Sequence, residues 1–207
     1  KSRKQTQSTT DDLLGPINAI FDRMLPEVTS RSGVIDKFVS NAAMIVFHSD
    51  GHLRRALEAA LATRTRLAEA GLSGIGIGIA SGDVLFGSVG SRAQRRVEFT
   101  AIGDIVNLAM SVGAQAIPGE VLIPSNLQRS LRELCALEPA GLQVQIGDGE
   151  PIDVLRVQGW RTDMMGTART ESFAVPVGAT DVAVKSTTAP APVEIGQTPT
   201  QPGAKAS

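Results

Sequence analysis

The chain is poor in several residue types, and each shortage removes a class of function. Its 207 residues contain one cysteine, Cys135, so no intramolecular disulfide can form, and a cysteine-based zinc site is not expected. A buried thiol is the plain expectation for Cys135. There is no tyrosine, and aromatic residues make up only 3% of the sequence, too few for the stacking platforms that hold single-stranded nucleic acid. Charge of either sign is not in excess. Twenty Lys and Arg face 21 Asp and Glu, for a formal net charge of -1, so a general polyanion binder is not indicated. No apolar run approaches the roughly 20 residues that span a bilayer, and no secretory signal is visible. The chain opens on Lys1 rather than Met, so an upstream portion is expected.

What is present reads as one domain with flanking segments. Residues 1–9 are polar and patternless, and a flexible segment is expected there. Thr10, followed by Asp11 and Asp12, resembles a helix start ahead of the apolar-periodic run Leu13, Leu14, Ile17, Ile20, Phe21 and Leu25. Pro16 is tolerable early in that helix, and Pro26 is expected to kink its end. The runs Val34–Val39 and Ala43–Phe47 flank Ser40-Asn41-Ala42 and predict a hairpin. Residues 52–70 carry Leu53, Leu57, Leu61 and Leu67 at helical spacing, with Gly71 placed to end the helix.

The stretch "SGIGIGIASG" (73–82) alternates Ile75, Ile77 and Ile79 with Gly74, Gly76 and Gly78. That pattern predicts a strand with one bare face, against which another backbone can approach closely. It lacks both the G-x-G-x-x-G and the GK[ST] arrangements of phosphate loops. Strands at 83–89 and 97–102, a helix at 104–115, a short strand ending at 124, a short helix at 125–134 and a strand at 151–157 follow. From Arg161 onward, Pro, Ala, Thr, Ser and Gly dominate, and the segment 161–207 reads as a disordered tail. Helices and strands mix without strict alternation, so an α+β or split βαβ domain is expected.

Four phrases carry a resemblance. "GVIDKFVSNAAMIVF", "GIGIASGDVLFGSVG", "RVEFTAIGDIVNLA" and "PGEVLIP" resemble, in order and spacing, the catalytic domain of class III nucleotidyl cyclases, the adenylate and guanylate cyclases. The likeness covers roughly residues 10–160. It implies a ferredoxin-like fold, an antiparallel-rich sheet with helices on one face, here without the family's first strand. It also implies a dimer with active sites between subunits. Such enzymes convert a nucleoside triphosphate to the cyclic nucleotide and pyrophosphate with two divalent metal ions.

The resemblance assigns roles residue by residue. Lys37 and Thr100 fall at the positions that read the purine, and a Lys/Thr pair favours adenine. Asn107 falls at the amide that orients the ribose. Two positions depart from the pattern. Asn41 stands where the family has a metal-binding aspartate, and an amide cannot replace a carboxylate for two dications. Ser111 stands where the family has an arginine, one helical turn after Asn107. Losing one such transition-state contact costs ~10²–10³ in rate. The "DIRGFT"-like strand that carries the other metal aspartate is absent from residues 1–9. Mg²⁺ or Mn²⁺ is therefore expected only where a partner subunit supplies the aspartates.

The expected function is a degenerate cyclase-homology domain, a pseudoenzyme serving as a dimerisation or regulatory module and capable of holding ATP. Two alternatives stay open. One is the base-reading half of a heterodimeric adenylate cyclase, and the other is an active homodimeric adenylate cyclase with atypical site residues. The partner is expected to be a second cyclase-type domain. The location is expected to be cytoplasmic, with tethering through an upstream segment. Arg92, Arg95 and Arg96 read as interface or solvated charges. His48 and His52 are too isolated for a metal site, and Ser81, Ser88 and Ser111 show no His/Asp relay.

Overall fold

The structure is a computed structural model that describes residues 2–72, 74–91, 94–161 and 181–187, with the backbone alone at 2–13, 96 and 181–187. In chain order the elements are α1 (Ser2–Thr29), β1 (Val34–Val39), β2 (Ala42–Phe47), α2 (His52–Glu69), β3 (Gly76–Gly82), β4 (Leu85–Ser91), β5 (Arg96–Ile102), α3 (Asp104–Gln115) and β6 (Val121–Pro124). A 3₁₀ turn (Ser125–Leu127), α4 (Gln128–Leu131), β7 (Cys135–Val144), β8 (Ile152–Trp160) and β9 (Asp181–Thr187) complete it. No helix among the described residues is long and apolar enough to cross a membrane.

Seven strands form one sheet in the order β1-β2-β9-β3-β6-β8-β7, and β4 and β5 form a separate two-stranded ribbon. The sheet is antiparallel except at the β3–β6 pair. The period-2 pattern decides what each face meets. Ala43, Ile45 and Phe47 of β2 join Ile77 and Ile79 of β3 in a core with Met24 and Val28 of α1 and Leu57 and Leu67 of α2. Met44 and Val46 turn to the opposite face, where they bury against Ala101 and Val106. The two long helices thus share one face, and α3 packs on the other with Leu108 and Val112 against Ala80 and Leu122.

The glycines of β3 make this second packing possible. A Cβ at Gly78 would lie 2.2 Å from the Gly113 nitrogen, and one at Gly76 would lie 2.1 Å from the Ala116 oxygen. Those are backbone atoms that cannot step aside, so the bare face predicted from the Gly/Ile alternation is what seats α3. Gly71, at φ +64°, closes α2: its N–H donates to the Ala68 carbonyl, and the Leu72 N–H donates to the Leu67 carbonyl.

Four expectations need correction. First, α1 begins at Ser2, not at Thr10, and runs through both Pro16 and Pro26. The helix formers Arg3, Lys4 and Gln5 extend it without needing an apolar stripe. Second, the helix expected over 125–134 is a 3₁₀ turn followed by the short α4. Third, β7 was not expected, because Pro139 and Gly141 break its pattern. The structure absorbs them where the register with β8 shifts between Pro139 and Gln143. Fourth, the tail expected to be disordered contributes β9, whose backbone lies between β2 and β3. The rest of that tail, 162–180 and 188–207, lies outside the described residues.

Candidate nucleotide site

The hairpin β1–β2 turns through Ser40 and Asn41, with Ser40 at φ +56°. Val39 pairs with Ala42, Phe38 with Ala43 and Lys37 with Met44, but the register slips before Ile35 pairs with Ile45. Asp36 is the extra residue, and a β-bulge of this kind re-aims neighbouring side chains. Asp36 and Lys37, adjacent in sequence, consequently reach the same partner on β5.

That partner is Thr100, which is buried. Lys37 Nζ donates to Thr100 Oγ1 at 2.5 Å, and Thr100 Oγ1 in turn donates to Asp36 Oδ2 at 3.0 Å. The backbone N–H of Ala101 donates to Asp36 Oδ1 at 3.4 Å, and Lys37 Nζ also lies 3.3 Å from Asp36 Oδ2. The Asp36 side chain is only 6% exposed, so its charge needs these donors. Lys37 keeps 22% of its side chain open, and its contact with Glu98, at 3.5 Å, involves a carboxylate that is 65% exposed and adds little. An ammonium has three donors, so Lys37 can hold Thr100 and Asp36 and still offer an N–H outward.

Asp36 is the residue that the sequence reading missed. The motif spacing drew attention to Lys37, and the bulge that brings Asp36 alongside it has no signature in a single sequence.

Gly103 joins β5 to α3 at φ +149°, a conformation that side chains rarely adopt. Its carbonyl accepts the N–H groups of Val106 at 3.0 Å and of Asn107 at 3.3 Å, starting the helix. Asn107 is exposed on the first turn, and Ser111, half-buried, follows one turn later. The structure therefore brings Lys37 and Thr100 into direct contact and holds Asn107 and Ser111 as a second pair on one helix. Asn41 sits in the hairpin turn, half-buried.

The residues present do not suit a pair of divalent cations. Hard ions require several carboxylate oxygens. Among the described residues no group of three His, Cys, Asp or Glu converges. The hairpin turn offers the Asn41 amide, and the Asp36 carboxylate is occupied by Thr100 and Lys37.

One serine does meet a histidine, which the sequence reading did not anticipate. His52 Nε2 lies 3.1 Å from Ser81 Oγ, and His52 Nδ1 lies 3.0 Å from the Ser49 carbonyl. A carbonyl only accepts, so Nδ1 carries the proton and Ser81 donates to Nε2. With a backbone carbonyl as its third member and His52 buried, the arrangement ties the start of α2 to β3. Arg95 is exposed at the tip of the β4–β5 ribbon with φ +53°, and Arg92 lies outside the described residues.

No protein-family model matches the chain. It is 34% identical over 145 residues to an uncharacterised protein of Mycobacterium tuberculosis, covering 66% of this chain and 25% of that protein. It is 37% identical over 109 residues to a terminal-differentiation-specific adenylate cyclase of Dictyostelium discoideum, covering 48% of this chain and 5% of that one. The chain thus spans about a quarter or less of these relatives. Among solved structures, the guanylyl cyclase Cya2 superposes with a TM-score of 0.59 at 22% identity, covering 79% of this chain and 90% of that one. The adenylyl cyclase CyaB of P. aeruginosa gives a TM-score of 0.56 at 24% identity, covering 78% and 92%. The chain has the fold of the class III adenylyl and guanylyl cyclase catalytic domains.

Proposed function

We propose that this chain is a cyclase-homology domain that pairs with a second cyclase-type domain and holds a purine nucleotide without cyclising it alone. One observation carries the reading. The base-reading residues form a hydrogen-bonded unit, Lys37–Thr100–Asp36, while the positions that would do chemistry hold Asn41 and Ser111. Neither an amide nor a hydroxyl supplies the charge that a developing phosphorane needs. The proposed roles are base reading for Lys37 and Thr100 and ribose orientation for Asn107, with ATP as the favoured nucleotide.

The β4–β5 ribbon supports pairing. It exposes Leu85 (70%) and Val89 (50%) on one face and Phe99 (64%) on the other, apolar surface of the kind that a partner covers.

The test is calorimetric titration with a non-hydrolysable ATP analogue, with and without Mg²⁺ or Mn²⁺. Binding is expected, and Lys37→Ala should weaken it by roughly tenfold or more, the loss of one hydrogen bond from a charged donor. Robust cyclic AMP formation by the purified chain with either metal would overturn the reading.

The same geometry favours a second reading, the base-reading half of a heterodimeric adenylate cyclase. Lys37, Thr100 and Asn107 are kept together in one chain, while the metal carboxylates would come from a partner. Mixing with an active cyclase domain separates the two readings, since Lys37→Ala then lowers cyclic AMP output only in the second.

A further inference from the structure

We infer, resting on the nucleotide reading above, that Asp36 is a positioning residue for base selection. By taking the one proton of the Thr100 hydroxyl, it leaves Thr100 able only to accept from a ligand. The Lys37–Thr100 pair then takes a purine with an amino group at position 6 and rejects one with an oxygen there.

A hydroxyl has one proton and two lone pairs. Lys37 Nζ only donates, so its contact at 2.5 Å uses one lone pair of Thr100 Oγ1. Two acceptors compete for the proton, Asp36 Oδ2 at 3.0 Å and the Ala101 carbonyl at 3.3 Å. The carboxylate is nearer, and a charged acceptor makes the stronger bond. Asp36 is also held in place. Its other oxygen accepts the Ala101 N–H at 3.4 Å, and the register slip between Ile35 and Lys37 turns it toward β5. The proton therefore points into the protein, and the second lone pair is what Thr100 has left to offer. Without an acceptor at position 36, the hydroxyl could rotate and serve a ligand donor or a ligand acceptor alike.

Lys37 supplies the complementary group, since one N–H remains for a ligand. Glu98, 3.5 Å from Lys37 Nζ, adds no donor. The pair thus presents one donor and one acceptor in a fixed order. Adenine carries the matching edge, with N1 accepting from Lys37 and the 6-amino group donating to Thr100. Hypoxanthine reverses both groups, setting its N1–H against the ammonium and its 6-oxygen against a lone pair. Sliding the ring by one position to exchange the contacts would draw the ribose away from Asn107. A site built to accept an N–H rejects the analogue that lacks it, because its own polar group is left unpaired.

The experiment titrates the full chain with the β,γ-imido analogues of ATP and ITP, without metal, and reads the ratio of the two affinities. The wild type should bind the ATP analogue at least about tenfold tighter. Asp36→Ala frees the hydroxyl proton, and the ratio should fall at least about threefold, mainly through better binding of the ITP analogue relative to the ATP analogue. Asp36→Ser is too short to hold the proton but keeps a polar group in the bulge, and it should act in the same direction if Asp36→Ala does not fold. Asp36→Asn still presents an amide oxygen to Thr100 and should keep the preference, even with weaker binding of both nucleotides. A purely structural role for Asp36 would lower both affinities together and leave their ratio unchanged. An unchanged ratio in Asp36→Ala or Asp36→Ser, or equal affinities in the wild type, would overturn the inference and leave the nucleotide reading standing. Binding of neither analogue by the wild type would overturn both.

Discussion

Lys37 and Thr100 stand 63 residues apart in the chain and meet at 2.5 Å, with Asp36 accepting the threonine proton from the other side. The relay runs in one direction, ammonium to hydroxyl to carboxylate, so Asp36 fixes which way the hydroxyl points. Asp36→Asn keeps the shape and removes the charge. The expected result is a loss of about 1.5–3 kcal/mol in urea unfolding, the range for a hydrogen bond to a charged group. Nucleotide-analogue affinity should fall with it, because Lys37 loses its nearest carboxylate. Unchanged unfolding and binding would show that the carboxylate has no part in holding the pair.

Gly78 and Gly87 both lie in strands, yet their substitution should differ sharply. A methyl group at Gly78 meets the Gly113 backbone at 2.2 Å, whereas one at Gly87 meets nothing within 4 Å. Gly78→Ala must push α3 off the sheet and is expected to cost about 3 kcal/mol, at the upper end of overpacking effects. It should also displace Asn107 and Ser111, which ride on that helix. Gly87→Ala should leave the unfolding midpoint nearly unmoved. Equal midpoints for the two variants in denaturant titrations would refute the close approach.

Those glycines also show what a single sequence discloses. The Gly/Ile alternation of 74–79 specified a strand with one bare face, and the structure puts α3 there. The hairpin, α2 and its Gly71 terminus followed from local chemistry in the same way, and Lys37 and Thr100, which the structure brings into contact, were singled out as candidates by motif spacing. Asp36 was not, because a bulge is a property of two paired strands and one strand's sequence does not encode it. β7 was hidden for a related reason: Pro139 and Gly141 contradict strand propensity, and pairing with β8 overrides them. β9 was hidden because its composition matches a tail, and its strand state depends on pairing with β2 and β3, far earlier in the chain.

Glu27 of α1 accepts from Arg31 Nη1 at 2.7 Å, just past its own helix, and from Arg66 Nε of α2 at 3.0 Å, so it clamps the two long helices together. These hydrogen bonds, the one from Arg31 first and the one from Arg66 second, hold its carboxyl below the ordinary carboxylate value. A lowered folded pKa contributes stability that is present above the unfolded value, about 4.5, and is lost as pH falls through the folded one. Thermal unfolding from pH 6 down to pH 3 should therefore show an acid-side loss of Tm that Glu27→Gln reduces. The variant should be less stable than wild type at pH 6 and closer to it at pH 3. Parallel curves across that range would remove Glu27 from the account.

The β4–β5 ribbon offers the sharpest test of pairing. Its seven cross-strand pairs run from Leu85–Ile102 to Ser91–Arg96, and two strands alone are marginal in water. Apolar side chains are exposed on both of its faces, with Leu85 and Val89 on one and Phe99 and Val97 on the other. Within the chain, Phe99 stacks on Phe86 at 6.0 Å between centroids, a contact worth about 0.5–1.5 kcal/mol. Phe99→Glu should therefore cost little stability while placing a charge in the proposed interface, and sedimentation should then shift from the dimer expected of the wild type to monomer. Ile117→Glu is the control, since Ile117 is 62% exposed beyond the end of α3 and away from the ribbon. It should leave the dimer intact, whereas dissociation by both variants, or by neither, would separate self-association from the ribbon.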